Sequence, residues 1–461
     1  MLTILHTNDL HSHTNILPRL AALIQRERQR APSALLVDAC DMAMDRPVQG
    51  LNVKLARALR YDALTTGNYE NEVRAGRAAL AQIGASCVVA NIAPGALGFE
   101  TTPFLLRDVN CIRVALLGLT TAPVYPIGHP LHRPNAEEVF VSDPLEAARD
   151  WVPRLRVRAD LLIVLSHLGL RGDVKLAQAV PGIDLIIGGH SHHRLPSLLR
   201  IGATHIAQAG VNGAYLGVID VRQRAGGFQL EGRLAPVWQE VEPDRKFAED
   251  IRAFIAQNAP AELEAWGKTD SDCWADPWQE NAWANFVTDS LRAHAEADIC
   301  FFKAGSLIPA LDAGLVRKWD VEQCINMEPE DLVRMTLSGE AVRAICEHSV
   351  ADLPWDDSAH VARNFCMPGN TLIHASGIEA TYDLQAPRGE RARRLLVGGQ
   401  PLDPARRYTV AVPEFLAKGY SGFHWFRDGG ERHVVGSQRA VMRAALQSCH
   451  SLPPLDGRLR F

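Results

Sequence analysis

Leu2-Thr3-Ile4-Leu5-His6-Thr7-Asn8-Asp9-Leu10-His11 passes from an apolar run to an amide, a carboxylate and an imidazole within ten residues. Residues 2–5 read as a buried strand, and the polar group stands just past its carboxyl end. The same arrangement recurs along the first half. A strand at 34–37 leads into Asp38-Ala39-Cys40-Asp41, and one at 63–66 into Gly67-Asn68-Tyr69-Glu70. Strands at 160–166 and 184–187 lead into Ser166-His167-Leu168-Gly169 and Gly188-Gly189-His190-Ser191-His192-His193. Helical patterns at 16–30, 48–60, 73–83 and 173–180 lie between them. Further strands are expected at 87–90 and 113–119, and late antiparallel ones at 203–208 and 216–222. Such alternation predicts a layered α/β sheet with helices outside. Ligands of open α/β sheets bind beyond the carboxyl ends of strands, where these polar groups lie.

The punctuation changes after Arg224-Ala225-Gly226-Gly227. Pro236 and Pro243 bracket an acidic stretch, and 247–267 reads as one long helix. The expected organisation is therefore a first domain over 1–240, a linker helix within 241–268, and an α+β domain over 269–461. The second domain is expected to hold helices at 283–296, 339–348 and 439–447, with strands at 378–382, 395–397 and 408–412.

Composition excludes several classes. The chain has 461 residues, 47% hydrophobic and 22% charged, enough for two or three cores. Its 48 Lys and Arg against 53 Asp and Glu leave a net charge of −5, which disfavours a nucleic-acid-coating surface. No apolar run approaches the roughly 20 residues of a membrane span, so no membrane partner is expected. Nine scattered cysteines without a CxxC pair argue against a disulfide framework and a cysteine zinc site. No secretory leader pattern opens the chain, and the expected location is the cytoplasm.

Two carboxylates, one amide and four histidines at strand ends suit two divalent ions such as zinc or manganese, and iron accepts the same donors. Asp9, His11 and His192 would hold one ion, Asn68, His167 and His190 the other, with Asp41 bridging. Taken singly, each has a bland reading: His190 and His192 as helix caps, His167 as a satisfied core histidine, Asn68 as a left-handed turn residue. Five such elements in order make the joint reading the stronger one.

Asp9-x-His11, Asp41, Gly67-Asn68, the lone His167 and His190-x-His192 resemble the calcineurin-like metallophosphoesterases, specifically their 5′-nucleotidase branch. Ser376-Gly377-Ile378 with Tyr382-Asp383, the 398–403 segment, and Tyr408-Thr409-Val410 leading to Phe415-Leu416-Ala417 resemble that branch's C-terminal domain. The resemblance implies a four-layer α/β sandwich followed by an α+β substrate-binding domain. It also implies hydrolysis of a small phosphorylated substrate by a metal-activated water. No P-loop or G-x-S-x-G nucleophile competes.

Four departures from the family pattern bear on the substrate. Tyr69 replaces the histidine of G-N-H-E, and a phenol titrating near 10 is poorly matched to acid catalysis at pH 7. His13 or His193 could take over that role, or both could be exposed loop residues. Cys40 replaces a glycine beside Asp41, as a buried thiol or a metal-adjacent one. Leu307 stands where the family has a phosphate-binding arginine, with Lys303 the nearest cation. One base-stacking ring is kept as Phe415, while Leu372 occupies the other position, and Phe423 is either a ligand contact or core. The expected catalytic residues are thus Asp41, Tyr69 and His13, and the expected substrate contacts Phe415, Phe423 and Lys303. The leading expectation is a di-metal phosphomonoesterase whose substrate is not a standard 5′-nucleotide. Two readings compete: a catalytically weakened metal-containing binding protein, and a nucleic-acid phosphodiesterase.

Overall fold

A computed structural model describes residues 1–11, 13–42, 49–122, 139–238, 241–325, 331–351, 353, 372–449 and 451–461. The described residues fall into two compact units, Met1–Ala259 and Pro260 onward.

The first unit is built on two six-stranded sheets. One is ordered β12-β11-β1-β2-β3-β4, with β1 Leu2–Thr7, β2 Leu35–Asp38, β3 Ala63–Leu64, β4 Ser86–Cys87, β11 Tyr215–Arg224 and β12 Gly227–Pro236. The strands β1 to β4 are parallel, and β11 and β12 run antiparallel along the β1 edge. The other sheet is ordered β5-β6-β7-β8-β10-β9, with β5 Phe104–Val109, β6 Ile112–Thr120, β7 Leu161–His167, β8 Leu185–Gly188, β9 Leu199–Ile201 and β10 Thr204–Ala207. All six residues of β1 and all seven of β7 are buried. That is the signature of parallel strands covered on both faces.

The period-two alternation of side chains sorts the core. Ile4, Val37, Leu116, Ile163 and Ile187 meet in one cluster between the sheets. Their neighbours Leu117, Val164 and Ile186 face the other way, onto Val152 and Leu155 of the helix Pro144–Arg156 and Leu170 and Leu176 of the helix Gly169–Ala179. Each such side chain contributes about 1.5–3 kcal/mol when fully buried. On the first sheet, the helix Leu17–Arg30 packs against β11 with Leu20, Leu23 and Ile24 buried. These are the layers of a helix–sheet–sheet–helix sandwich. Every parallel strand delivers its carboxyl end to the same edge.

Local differences from the sequence expectation have physical causes. The strand β10 pairs parallel with β8 and antiparallel only with β9. Periodicity marks a strand but not its partner. The helix expected over 73–83 is Arg74–Ala81, and an extended Val73 at φ −119° and ψ 118° separates it from an additional short helix, Asn68–Glu72. The linker helix is Arg245–Asn258 and stops before Pro260, which disfavours helix in the residue preceding it. A 3₁₀ turn, Pro260–Leu263, and the strand Ala265–Thr269 replace its second half.

The second unit has a five-stranded mixed sheet that includes Ile299–Lys303, Asp331–Ser338 and Arg407–Pro413, and a four-stranded sheet around Ile378–Tyr382 and Ala392–Val397. Its helices Ala282–His294, Gly339–Ser349 and Gln438–Ser448 agree with the expected spans. Ser338, Asn281 and Ser437 cap them by accepting backbone N–H groups.

Candidate metal centre

The loops after β1 and β2 run side by side. Asp9 donates its backbone N–H to the Cys40 carbonyl at 2.8 Å, and His11 donates to the Asp41 carbonyl at 3.0 Å. This pairing brings the two carboxylates together. Six of the site loops' residues adopt the left-handed region: Asp9, His11, Cys40, Asp41, His190 and His192, at φ between 49° and 69°. Non-glycine residues there cost on the order of 1 kcal/mol each, so the surrounding hydrogen bonds must hold them.

Those bonds are present. The Asn8 amide donates to Asp9 Oδ2 at 2.7 Å, and His190 N donates to both Asp9 oxygens at 3.0 Å. Glu70, fully buried, accepts from the backbone N–H groups of Gly67 at 2.9 Å, Met42 at 3.0 Å and Asp41 at 3.3 Å. Tyr69 N donates to Asp41 Oδ1 at 2.9 Å. Glycine is required beside the carboxylates: a Cβ on Gly67 would lie 2.0 Å from Asp41 Oδ1.

Two donor triads converge, Asp9–His11–His192 and Asp9–Asp41–His167, with their ligand atoms within 4.8 Å of one another. Asp9 Oδ1 lies 3.8 Å from His11 Nε2, 3.6 Å from His192 Nε2 and 3.9 Å from His167 Nε2. Asp41 Oδ2 lies 3.3 Å from His167 Nε2 and 3.9 Å from His11 Nε2, between the two groups. Asn68 Oδ1 faces His190 Nδ1 at 2.8 Å and His167 Nε2 at 3.3 Å. All seven sequence-predicted ligands thus lie around one centre.

The donor set fits divalent cations. The Asn68 amide group faces Asp41 Oδ2, His167 Nε2 and His190 Nδ1, so its carbonyl oxygen would join them around a shared cation. The far nitrogens of two imidazoles are already committed. His167 Nδ1 donates to the Ala39 carbonyl at 2.6 Å and His11 Nδ1 to Asn212 Oδ1 at 3.2 Å, leaving each Nε2 lone pair for the centre. Burial pushes Asp9 above the usual carboxylate range, and the charge of Asp41 adds to this. Burial would raise Asp41 as well, but the charge and hydrogen bond of His167 hold it below that range. Burial opposes a charged imidazole at His167, yet Asp41 beside it raises that group to about 10. Burial and the charge of His167 push His190 down to about 4. Protons shared among these groups offset the negative charge of the two carboxylates.

The ring of Tyr69 is 3% exposed and packs at Gly76, where a Cβ would meet its Cδ1 at 3.2 Å. His13 is buried and lines a small, largely apolar pocket with Leu10, Leu17, Met42, Ala56, Leu59 and Tyr61. His193 is buried too, so neither histidine is an exposed loop residue. Cys40 is fully buried, and burial pushes its thiol well up, the behaviour of a structural cysteine.

In the second unit the Lys303 ammonium sits over the Phe415 ring, 5.1 Å from its centroid, and Tyr420 packs on that ring at 5.0 Å. Phe423 is fully buried against His348 and Phe426, a core contact rather than a pocket wall. Left-handed Gly419, Ser421 and Gly422 turn the chain around it. Leu307 and Leu372 are buried, Leu307 within the main apolar cluster. Sequence reasoning passed over Asn8, Glu70 and Asn212, whose roles depend on which distant backbone they reach.

The calcineurin-like phosphoesterase family matches residues 2–194, and the 5′-nucleotidase C-terminal domain family matches residues 256–428. The chain therefore belongs to the calcineurin-like phosphoesterases, in the branch that carries a 5′-nucleotidase C-terminal domain. The chain is accordingly a metal-dependent phosphohydrolase. It is 25% identical over 453 residues to the uncharacterized metallophosphoesterase YunD of Bacillus subtilis, covering 94% of this chain and 95% of that one. The 5′-nucleotidase precursor of Thermus thermophilus superposes with a TM-score of 0.66 at 24% identity, covering 100% and 99%. The sulfate thiohydrolase SoxB of Thermus thermophilus, in complex with glycerol, superposes at 0.68 with 19% identity, covering 100% and 96%. At these identities the two structures show the fold alone.

Proposed function

We propose that the protein is a dinuclear phosphomonoesterase for a small phosphorylated metabolite other than a standard 5′-nucleotide. Convergence of seven donors from five strand-end loops on one centre supports the first part. Asp9, His11 and His192 would hold one ion, Asn68, His167 and His190 the other, and Asp41 both. Zinc and manganese suit this mixed donor set, and iron accepts it as well. Bound ions supply Lewis-acid activation of water and neutralise charge on the phosphate. The half-buried His11, His190 and His192 mark the accessible side of the centre, while Asp9 and His167 close the buried side.

One observation carries the substrate reading: Lys303 lies over the Phe415 ring. A cation on that ring occupies a face a nucleobase would need. Burial lowers Lys303 to about 8, so it remains mostly protonated at pH 7 and favours an anionic group. The buried Leu307 and Leu372 supply neither a phosphate fork nor a second ring. Loss of partners from a polar pocket costs up to about 10⁴-fold in discrimination. Comparing kcat/KM for adenosine monophosphate with that for anionic sugar phosphates, in the presence of manganese, tests this. The sugar phosphates are expected to lead by at least about tenfold, 1.4 kcal/mol of preference. Adenosine monophosphate as the best substrate would overturn it. Native turnover on any phosphomonoester would also exclude a binding-only protein.

We place the protein in a reducing compartment, the cytoplasm. The eight described cysteines are all free, which supports this. No helix among the described residues is long and apolar enough to cross a membrane.

A further inference from the structure

Behind the loop that carries His190 and His192 runs a buried hydrogen-bond chain. Leu170 N donates to Ser191 Oγ at 2.8 Å, and His193 Nδ1 is hydrogen-bonded to the same oxygen at 2.8 Å. Ser191 Oγ donates to Gln208 Oε1 at 3.2 Å, which also accepts His193 N at 3.0 Å. Gln208 Nε2 donates to Asp173 Oδ2 at 3.2 Å and to the Gly189 carbonyl at 3.3 Å. The other Asp173 oxygen accepts the Ser166 hydroxyl. The Gln208 amide donates to the Asp173 carboxylate on one side and accepts from Ser191 Oγ and His193 N on the other, so Asp173 fixes which way it faces.

The packing is built around this chain. Asp173, Gln208 and Ser166 are fully buried, and Ser191 and His193 are buried as well. A Cβ on Gly188 would lie 2.1 Å from Asp173 Oδ2 and 2.8 Å from Gln208 Nε2, so glycine opens the slot they fill. None of these side chains supplies a donor to the centre. They instead grip Gly189, Ser191 and His193, the residues on either side of His190 and His192.

We infer that Asp173, acting through Gln208 and Ser191, is a positioning residue that sets the affinity of the centre for divalent metal. The inference rests on the dinuclear reading above. His192 belongs to one donor group and His190 to the other, so a single loop serves both ions. His190 and His192 hold left-handed φ angles of 69° and 58°, which the loop keeps only while it is clamped. Outer partners of metal ligands have effects of this kind, with losses of about 10–100-fold in affinity when removed.

Manganese(II) titration of the full-length chain against a competing chelator tests the inference. Gln208→Leu severs the chain at its middle and is expected to weaken manganese binding by about 10–100-fold. Far-ultraviolet circular dichroism should be unchanged, and turnover should return in excess manganese with KM for the phosphoester unaltered. Asp173→Asn keeps an acceptor for Gln208 and should recover most of the affinity. Should Gln208→Leu fail to fold, Ser191→Ala, which removes only the hydroxyl linking His193 to Gln208, is read the same way, a loss of about tenfold or more being expected. Affinity within about twofold of native for a folded variant, with only the melting temperature lowered, would overturn the inference and leave a purely structural network. Native protein that binds no manganese would sink the dinuclear reading, whereas native binding matched by the variants would sink this inference alone.

Discussion

The carboxylate of Glu70 accepts the backbone N–H of Asp41 at 3.3 Å, and so holds in place a metal-site aspartate 29 residues earlier in the chain. The same carboxylate takes the N–H groups of Met42 and Gly67. Glu70→Ala would leave three buried N–H groups without a partner, at about 1–3 kcal/mol each. We expect a stability loss on the order of 3 kcal/mol or more in urea unfolding, together with loss of bound metal. Glu70→Gln, which retains one acceptor oxygen, should lose clearly less. Equal stability of the alanine variant and the native chain would refute the clamp.

Gly67 offers a steric counterpart. A methyl group there overlaps Asp41 Oδ1 at 2.0 Å and Asp41 N at 2.6 Å. Gly67→Ala should therefore displace the Asp41 carboxylate and lower kcat/KM by more than about 100-fold, beyond the usual cost of losing an outer ligand partner. Retained activity would mean that Asp41 is not needed where it stands.

Proton release on metal loading follows from the charge balance of the centre. In the metal-free protein Asp41 raises His167 to about 10, so its imidazole carries a proton at pH 7. Burial raises Asp9 in the same direction. Metal ligation needs both groups deprotonated, so binding must expel protons. Apparent affinity is then expected to rise with pH and to level off only above about 10, where His167 is already neutral. Calorimetry at pH 7 in buffers of different ionisation enthalpy should show at least one proton released per chain. Buffer-independent heats would contradict the assignment of His167 as a ligand.

Tyr69 occupies the position of a family histidine, yet its ring packs at Gly76. We expect Tyr69→Phe to change kcat by less than about threefold, because a general acid would contribute 10²–10⁴-fold. A fall of about 100-fold or more would return the phenol to catalysis.

Most of the centre was legible because its donors are chemically distinctive and sit just past strand ends, where the topology must bring them together. Asp9, His11, Asp41, Asn68, His167, His190 and His192 needed only their residue type and their place after a strand. The supporting groups were not legible for the opposite reason. Glu70, Gln208 and Asn212 have unremarkable types, and their importance lies in the distant backbone or ring they meet. The same limit explains β10, whose strand character showed but whose parallel partner did not, and Phe423, whose ring turns inward on a left-handed loop. The long helix ended early at a local signal, Pro260, that the apolar spacing beyond it had masked.

The most direct test is phosphate release by the full-length chain across a panel of phosphomonoesters, with and without manganese or zinc, beside Asp41→Ala. We expect turnover that requires added metal and falls by more than about 100-fold in the variant. Turnover unaffected by chelation and equal in Asp41→Ala would contradict a metal-dependent reaction at this centre.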